Sequence, residues 1–436
     1  MNDSIQGKKL LILAGDLHLV SLVERARELG VYTIVTDYYD TIHSPAKLAA
    51  DEYWNVSWTD LDTLERLCRE KGVNGITTGY SEYPVEACIR LCQRLNLPCY
   101  CNMEQLLLTR DKAAFKTVCR KYGVPVVREY LSAEAVDSFP VIVKPVDRAG
   151  SIGVGVASDR EELERVVAEA LDASYEKKVI IEDFISDGAK FDVIYAICDG
   201  KPILLSDCDT VNSEKNGTQR VIQNGWLFPS RCHDAYVRQV HPVVCDMIRG
   251  LQIRDGYIFF SGFAIERHGG TEFVFFETGF RLSGGHMYRY MCERGGVNVL
   301  DIFIYHALTG NTRGVRWQKE TRPNLKCAMV NYYAAEGTVA SITGTDKILT
   351  MPDCTLLLQS GRIGDHCDAK KAILKKMAMV HFCNESPQAL ADDVAEANRL
   401  YGVFDADGRD MIYDRIAPST VAGWWRRNGV EDEGND

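Results

Sequence analysis

No apolar stretch in this sequence approaches the ~20 residues that a membrane-spanning helix needs, so no membrane partner is expected. Runs of Lys and Arg are missing beyond short clusters such as Trp424-Trp425-Arg426-Arg427, and the formal net charge is −11. A nucleic-acid binder normally carries a basic patch or domain, so no nucleic-acid partner is expected either. An acidic balance still leaves room for a locally positive pocket and an anionic small ligand. The polar start, Met1 to Lys9, lacks the apolar region of a secretory signal, and a cytoplasmic location is the expectation. Paired C-x-x-C motifs are absent, which removes the common zinc-site spacing. The 15 cysteines are odd in number and scattered. Cys88 and Cys92 fall on one helix face, Cys119 on another, and Cys99 and Cys101 are two apart. Reduced structural thiols are the expectation for all of them.

What is present is ordinary globular composition, with 46% hydrophobic and 25% charged residues over 436 positions, enough for two or three domains. The first hundred residues alternate short apolar runs with helical stripes. Leu10 to Ala14, Val31 to Val35 and Val73 to Thr78 read as buried strands. Leu19 to Leu29, Leu61 to Cys68 and Val85 to Leu95 read as helices. This pattern predicts a parallel α/β sheet. The first strand runs into Ala14-Gly15-Asp16-Leu17-His18, not G-x-G-x-x-G, which argues against a bound dinucleotide. Asp37, ending the second strand, fits either a ribose contact or, more commonly, a turn.

A second section starts near Asn102. Asp111 can cap a helix, with Lys112 in its first turn against the helix dipole. In Pro140 to Val156, a β-branched strand carries Lys144 into the turn Asp147-Arg148-Ala149-Gly150-Ser151-Ile152-Gly153 and on to a second strand. A lysine beside backbone N–H groups of a Gly/Ser turn can clamp phosphate; a plain hairpin with one snorkelling lysine fits the same residues. Val179 to Ile185 reads as a strand and connector, and polar Ser206 to Arg231 as a long mobile loop. Gly256–Glu266 and Thr271–Glu277 read as a hairpin. Glu277 and Arg281, before Ser283-Gly284-Gly285-His286 and a helix, suit a metal ion and an anion, or a structural ion pair. Past Pro323, short strands (Ala328 to Ala334, Val339 to Ile342, Lys347 to Met351, Thr355 to Gln359, Ala378 to Asn384) and a helix from Pro387 to Tyr401 predict a small α+β section.

Taken in order, these segments resemble the ATP-grasp superfamily of ADP-forming carboxylate–amine ligases over nearly the whole chain. The resemblance rests on Asp111-Lys112, Val143-Lys144-Pro145, the loop 147–154, Ile181-Glu182-Asp183-Phe184-Ile185 and the segment from Glu277 to Gly285. It implies an α/β and α+β architecture: a Rossmann-like domain over 1–105, an ATP-grasp domain over 106–322 with a lid near 125–186, and a C-terminal α+β section over 323–436. It implies ATP and Mg²⁺ (or Mn²⁺) as cofactors, a small carboxylate and an amine as substrates, and a homodimer as the oligomer common among such ligases. Residue by residue, it implies Lys112 and Lys144 on the phosphates, under Gly150, Ser151 and Gly153. Glu182 and the backbone of Asp183 and Ile185 would hold adenine. Glu277 would bind the metal, Arg281 would stabilise the transferring phosphate, and Gly284 and Gly285 would receive the carboxylate.

Two departures stand out. The family's Asn after the last carboxylate is Gly279 here. Its upstream carboxylate comes from the preceding strand, where Glu266 is the nearest candidate; a register slip of one residue would reverse its face. The ribose-binding Glu falls near Lys190, so Asp187 or Asp192 would substitute. The L-amino-acid ligase type is the preferred reading. A bicarbonate-using carboxylase and a non-ligating ATP-binding regulator are the alternatives.

Overall fold

The computed structural model describes residues 4–146, 148, 152–186, 188–213, 215, 222–267, 269–317, 322–368 and 374–426. The chain divides into two compact units, one of residues 1–207 and 234–321, the other of 208–233 and 322–436.

The first unit opens with a four-stranded parallel sheet. Its order is Glu52–Trp54, Tyr32–Thr36, Lys9–Leu13, Gly75–Thr77. The strands are short and apolar because both faces are covered: Leu10 through Leu13 are all fully buried. The edge strand Glu52–Trp54 lacks an apolar run, so periodicity does not reveal it. Asp37 is a turn residue. Its Oδ2 accepts from the Gly15 N–H at 2.9 Å and from the Ser44 hydroxyl at 2.7 Å.

A second, antiparallel sheet has the order Glu129–Tyr130, Val179–Asp183, Val141–Pro145, Gly155–Ala157. Alternation assigns its faces. Val141, Val143 and Ile181 pack with Leu163, Val166 and Ala170 of the helix Arg160–Ala173. Glu129, Ile142, Lys144 and Glu182 take the other face, since Glu182 pairs with both Glu129 and Ile142. The third sheet of this unit contains the hairpin Gly256–Arg267 and Gly270–Gly279, then Ala189–Cys198. The helix Lys112–Tyr122 buries Phe115, Lys116 and Cys119.

Gly153 follows Lys144 in the chain, and packing explains its identity. Its φ is +70°, and a Cβ there would stand 2.4 Å from Ala173 Cβ and 2.9 Å from Pro145 Cγ. Gly153→Ala is therefore expected to destabilise the fold by about 1–3 kcal/mol, measured as a lower midpoint in urea. An unchanged midpoint would refute this account.

In the second unit, the strands Gln223–Phe228, Lys326–Ala334, Lys375–Asn384 and Cys354–Gln359 follow the end of Lys201–Asn212 in sheet order. The helix Pro387–Leu400 covers them through Leu390, Ala391, Val394 and Ala397. Two sequence readings need correction. The segment Ser206 to Arg231 contains strand over Ser206 to Asn212 and Gln223 to Phe228, and Asp209 to Asn212 pair antiparallel with Gln223 to Leu227. Its polarity suggested a loop, but buried Asp209 accepts from the Ser230 hydroxyl at 2.6 Å, the Arg231 N–H at 2.9 Å and the Trp424 indole at 3.0 Å. Such bonding lets a carboxylate sit inside a sheet. The other correction is at Lys347 to Met351, where the chain forms the short helix Thr345–Leu349.

Candidate functional site

Lys144 and Glu182 meet because the register of their strands places them diagonally on one face. Lys144 Nζ lies 2.6 Å from Glu182 Oε2, while Lys116 donates to Glu182 Oε1 and lies 3.4 Å from Glu129. Burial pushes the Glu182 carboxyl up, but the Lys144 and Lys116 charges outweigh it and hold it below the ordinary glutamate range. The two lysines are not equivalent. The Lys116 side chain is fully enclosed, whereas that of Lys144 is 18% exposed. Lys116 therefore positions Glu182, and Lys144 is the ammonium that a ligand can reach. Lys116 was missed by motif reasoning, although a lysine beside Phe115 on a helix's apolar face was its signal. Lys112, one turn earlier, is half-buried.

The Lys144 ammonium also sits 5.4 Å from the Phe276 ring centroid. Phe276 immediately precedes Glu277, so the cation lies beside the strand that carries this carboxylate. Glu277 is exposed and pairs with Ser261, which pairs in turn with Asp192. One row across three strands thus holds Asp192, Ser261 and Glu277, and Ser261 donates to Asp192. Two carboxylates flanking a hydroxyl form an oxygen donor set that fits Mg²⁺, which typically takes one or two carboxylates plus phosphate oxygens.

Glu266 is not part of that row. It pairs with Thr271 at the hairpin end and accepts from the Thr271 hydroxyl at 2.9 Å. Five residues separate it from Ser261, roughly 16 Å along the strand. Ser261 is the residue opposite Glu277, which a search for the nearest acid overlooked. Gly279 also has a packing reason. A Cβ there would meet the Phe259 ring at 2.5 Å, so a side chain such as Asn has no room. That ring lies 5.3 Å from the Arg281 guanidinium instead.

The Arg281 Nε lies 2.8 Å from Glu82 Oε1. Glu82 begins the helix Glu82–Leu95, just past the carboxyl end of Gly75–Thr77. His18 follows the carboxyl end of the first strand, and its Nδ1 lies 2.8 Å from Nε2 of fully buried His286. Tyr80 stacks on His286 at 4.8 Å between centroids, and burial holds its phenol well above the ordinary tyrosine range. Open parallel sheets bind ligands at their carboxyl ends. That rule is the signal for His18, Tyr80 and Glu82, none of which motif reasoning singled out. A Cβ at Gly284 would meet nothing within 4 Å, so the chain before His286 borders open space. The Asp183 N–H donates to the Arg128 carbonyl at 3.0 Å, and its carboxylate accepts from Tyr130. Gly150, Ser151 and Asp187 lie outside the described residues.

Comparison with known proteins places this geometry. Residues 112–215 match the family described as D-ala D-ala ligase C-terminus. A carbamoyl phosphate synthase large chain, N-terminal section, from Methanopyrus kandleri is 30% identical over 129 residues, covering 27% of this chain and 22% of that protein. A D-alanine–D-alanine ligase from Fusobacterium nucleatum is 35% identical over 78 residues, covering 18% of this chain and 25% of that one. The alignments thus span about a quarter of those relatives' length. Among solved structures, L-amino acid ligase from Bacillus licheniformis superposes with a TM-score of 0.73 at 18% identity, covering 92% of this chain and 99% of that one. Phosphoribosylglycinamide synthetase from Anaerococcus prevotii gives 0.71 at 18% identity, covering 92% and 100%. The chain thus shares its fold with these ligases, and residues 112–215, which carry Lys112, Lys116, Lys144 and Glu182, match the family described as D-ala D-ala ligase C-terminus.

Proposed function

We propose that this protein uses ATP to join a small carboxylate to an amine, releasing ADP and phosphate. The observation that carries this reading is Lys144, fixed by buried Glu182 and directed past Phe276 towards the strand of Glu277. A carboxylate is a poor acylating agent because oxide is its leaving group. When its oxygen attacks the γ-phosphorus of ATP, ADP leaves and an acyl phosphate forms. The amine then attacks the acyl carbon, phosphate leaves, and the amine loses a proton. Phosphoryl transfer needs placement and charge neutralisation above all. Glu277 and Asp192 would hold Mg²⁺, which would supply positive charge to the phosphates.

The other roles belong to the chain itself. Lys144 holds phosphate oxygens, and Lys112, one helical turn from Lys116, is the second candidate for that contact. The backbone at Ile185 takes adenine, since the Asp183 and Phe184 N–H groups are already engaged with the Arg128 and Pro140 carbonyls. Arg281 stabilises the transferring phosphoryl group, and the open backbone at Gly284, next to buried Gly285, receives the acyl end. Glu82 suits the ammonium of an amino-acid substrate, in exchange for its pairing with Arg281. The substrate class is therefore amino acids, as in an L-amino-acid ligase.

Phosphate release from Mg-ATP, measured with pooled amino acids and small carboxylates, tests this. Release that requires two substrates together supports the ligase. Release driven by bicarbonate alone would replace it with a carboxyphosphate-forming reading. Tight ATP binding with no release under any mixture would mean that Ser261 and Gly279 mark a non-ligating site.

A further inference from the structure

Paired C-x-x-C spacing is absent from the sequence, yet the fold brings three thiols together outside the lysine cluster. Cys88 and Cys92 are one turn apart on the helix Glu82–Leu95, and both are buried. Asn96 ends that helix with a φ of +54°. The reversal brings Leu97, Pro98 and Cys99 back against it. The Cys88 and Cys92 sulfurs are 4.0 Å apart, and the sulfurs of Cys88, Cys92 and Cys99 all lie within 4.8 Å of one another.

These separations have a meaning in coordination chemistry. With metal–sulfur bonds of about 2.3 Å, three ligands of one ion stand about 3.8 Å apart in a tetrahedron and about 4.0 Å apart in a plane. The trio thus needs sub-ångström adjustment to share an ion. A disulfide would instead need about 2.05 Å between sulfurs. The surrounding side chains are apolar, among them Ile76, Leu91, Leu95 and Leu97. A site of sulfur alone in an apolar shell selects soft ions over Mg²⁺ or Ca²⁺. Cys99 is only half-buried, so it offers the point of entry.

We propose that Cys88, Cys92 and Cys99 form a binding site for a thiophilic d¹⁰ cation such as Zn²⁺. Binding displaces the thiol protons to solvent, as thiolate coordination requires. The ion would tie the helix that starts at Glu82 to the segment leading to Asn102. The site is independent of the ligase reading.

The test uses the full chain, reduced and stripped of metal, titrated with Cd²⁺. Expected is a sulfur-to-cadmium charge-transfer absorption that saturates at one equivalent. Cys99→Ser and Cys92→Ser should each weaken binding at least tenfold, while Cys354→Ser leaves it unchanged. In the unmodified protein, bound Cd²⁺ should also slow alkylation of Cys99, read by peptide mass mapping. A titration without saturation at one equivalent, a band indifferent to Cys99→Ser, or Cys99 alkylated equally fast with Cd²⁺ present would overturn the proposal.

Discussion

Replacing Lys144 with alanine is expected to lower ATP turnover by about 10³-fold, the scale on which preorganised cations contribute to phosphoryl transfer. Lys144 is the partly exposed member of the cluster, and its ammonium lies beside Phe276 of the strand Gly270–Gly279, which carries Glu277. Glu182 keeps Lys116 in the variant, so its carboxylate stays paired and the fold should persist. Circular dichroism would confirm folding, and phosphate release would report the loss. A folded Lys144→Ala protein with undiminished turnover would remove Lys144 from the phosphate site. Loss that appears only as a raised KM for ATP, with kcat intact, would assign Lys144 to ground-state binding.

The second large effect concerns stability. Glu182→Leu removes the carboxylate shared by both lysines and leaves the enclosed Lys116 ammonium with Glu129 alone, 3.4 Å away. Breaking a buried pair from one side typically costs about 3–5 kcal/mol, because the surviving charge is left without compensation. A urea midpoint should fall accordingly, with ATP affinity lost as Lys144 loses its anchor. A double change, Glu182→Leu with Lys116→Met, should recover part of the loss, since it removes the stranded charge as well. No recovery would mean that packing, not charge, dominates there.

The pH dependence follows from the same carboxyl. Its native value is depressed by Lys144 and Lys116. Its stabilising contribution is therefore complete above the ordinary glutamate value of about 4.3. It is lost as the pH falls through the lower native value. Acid unfolding of the unmodified chain should then show this contribution below pH ~4, and the Glu182→Leu chain should lack it.

Much of this was legible in the sequence because local rules govern it. Apolar runs ended by Gly or Pro mark the parallel strands and helices of the first hundred residues, and a strand lysine before a Gly/Ser turn marks Lys144. Period-two alternation already implies that Val141 and Val143 point one way and Lys144 the other. The resemblance to ATP-grasp ligases adds the order of the parts.

Register, diagonal contacts and the return of distant segments are not local, and only the tertiary structure decided them. Strand pairing put Ser261 opposite Glu277 and left Glu266 at the far end of the hairpin. It put Glu182 where two lysines from different elements converge. Packing of Phe259 decided that position 279 has no room for a side chain. The chain reversal at Asn96 brought Cys99 to the helix face that carries Cys88 and Cys92. One side chain's partners in a folded protein depend on segments hundreds of residues away. Residue type and spacing along the chain limit what those partners can do, and only the fold determines which of them meet.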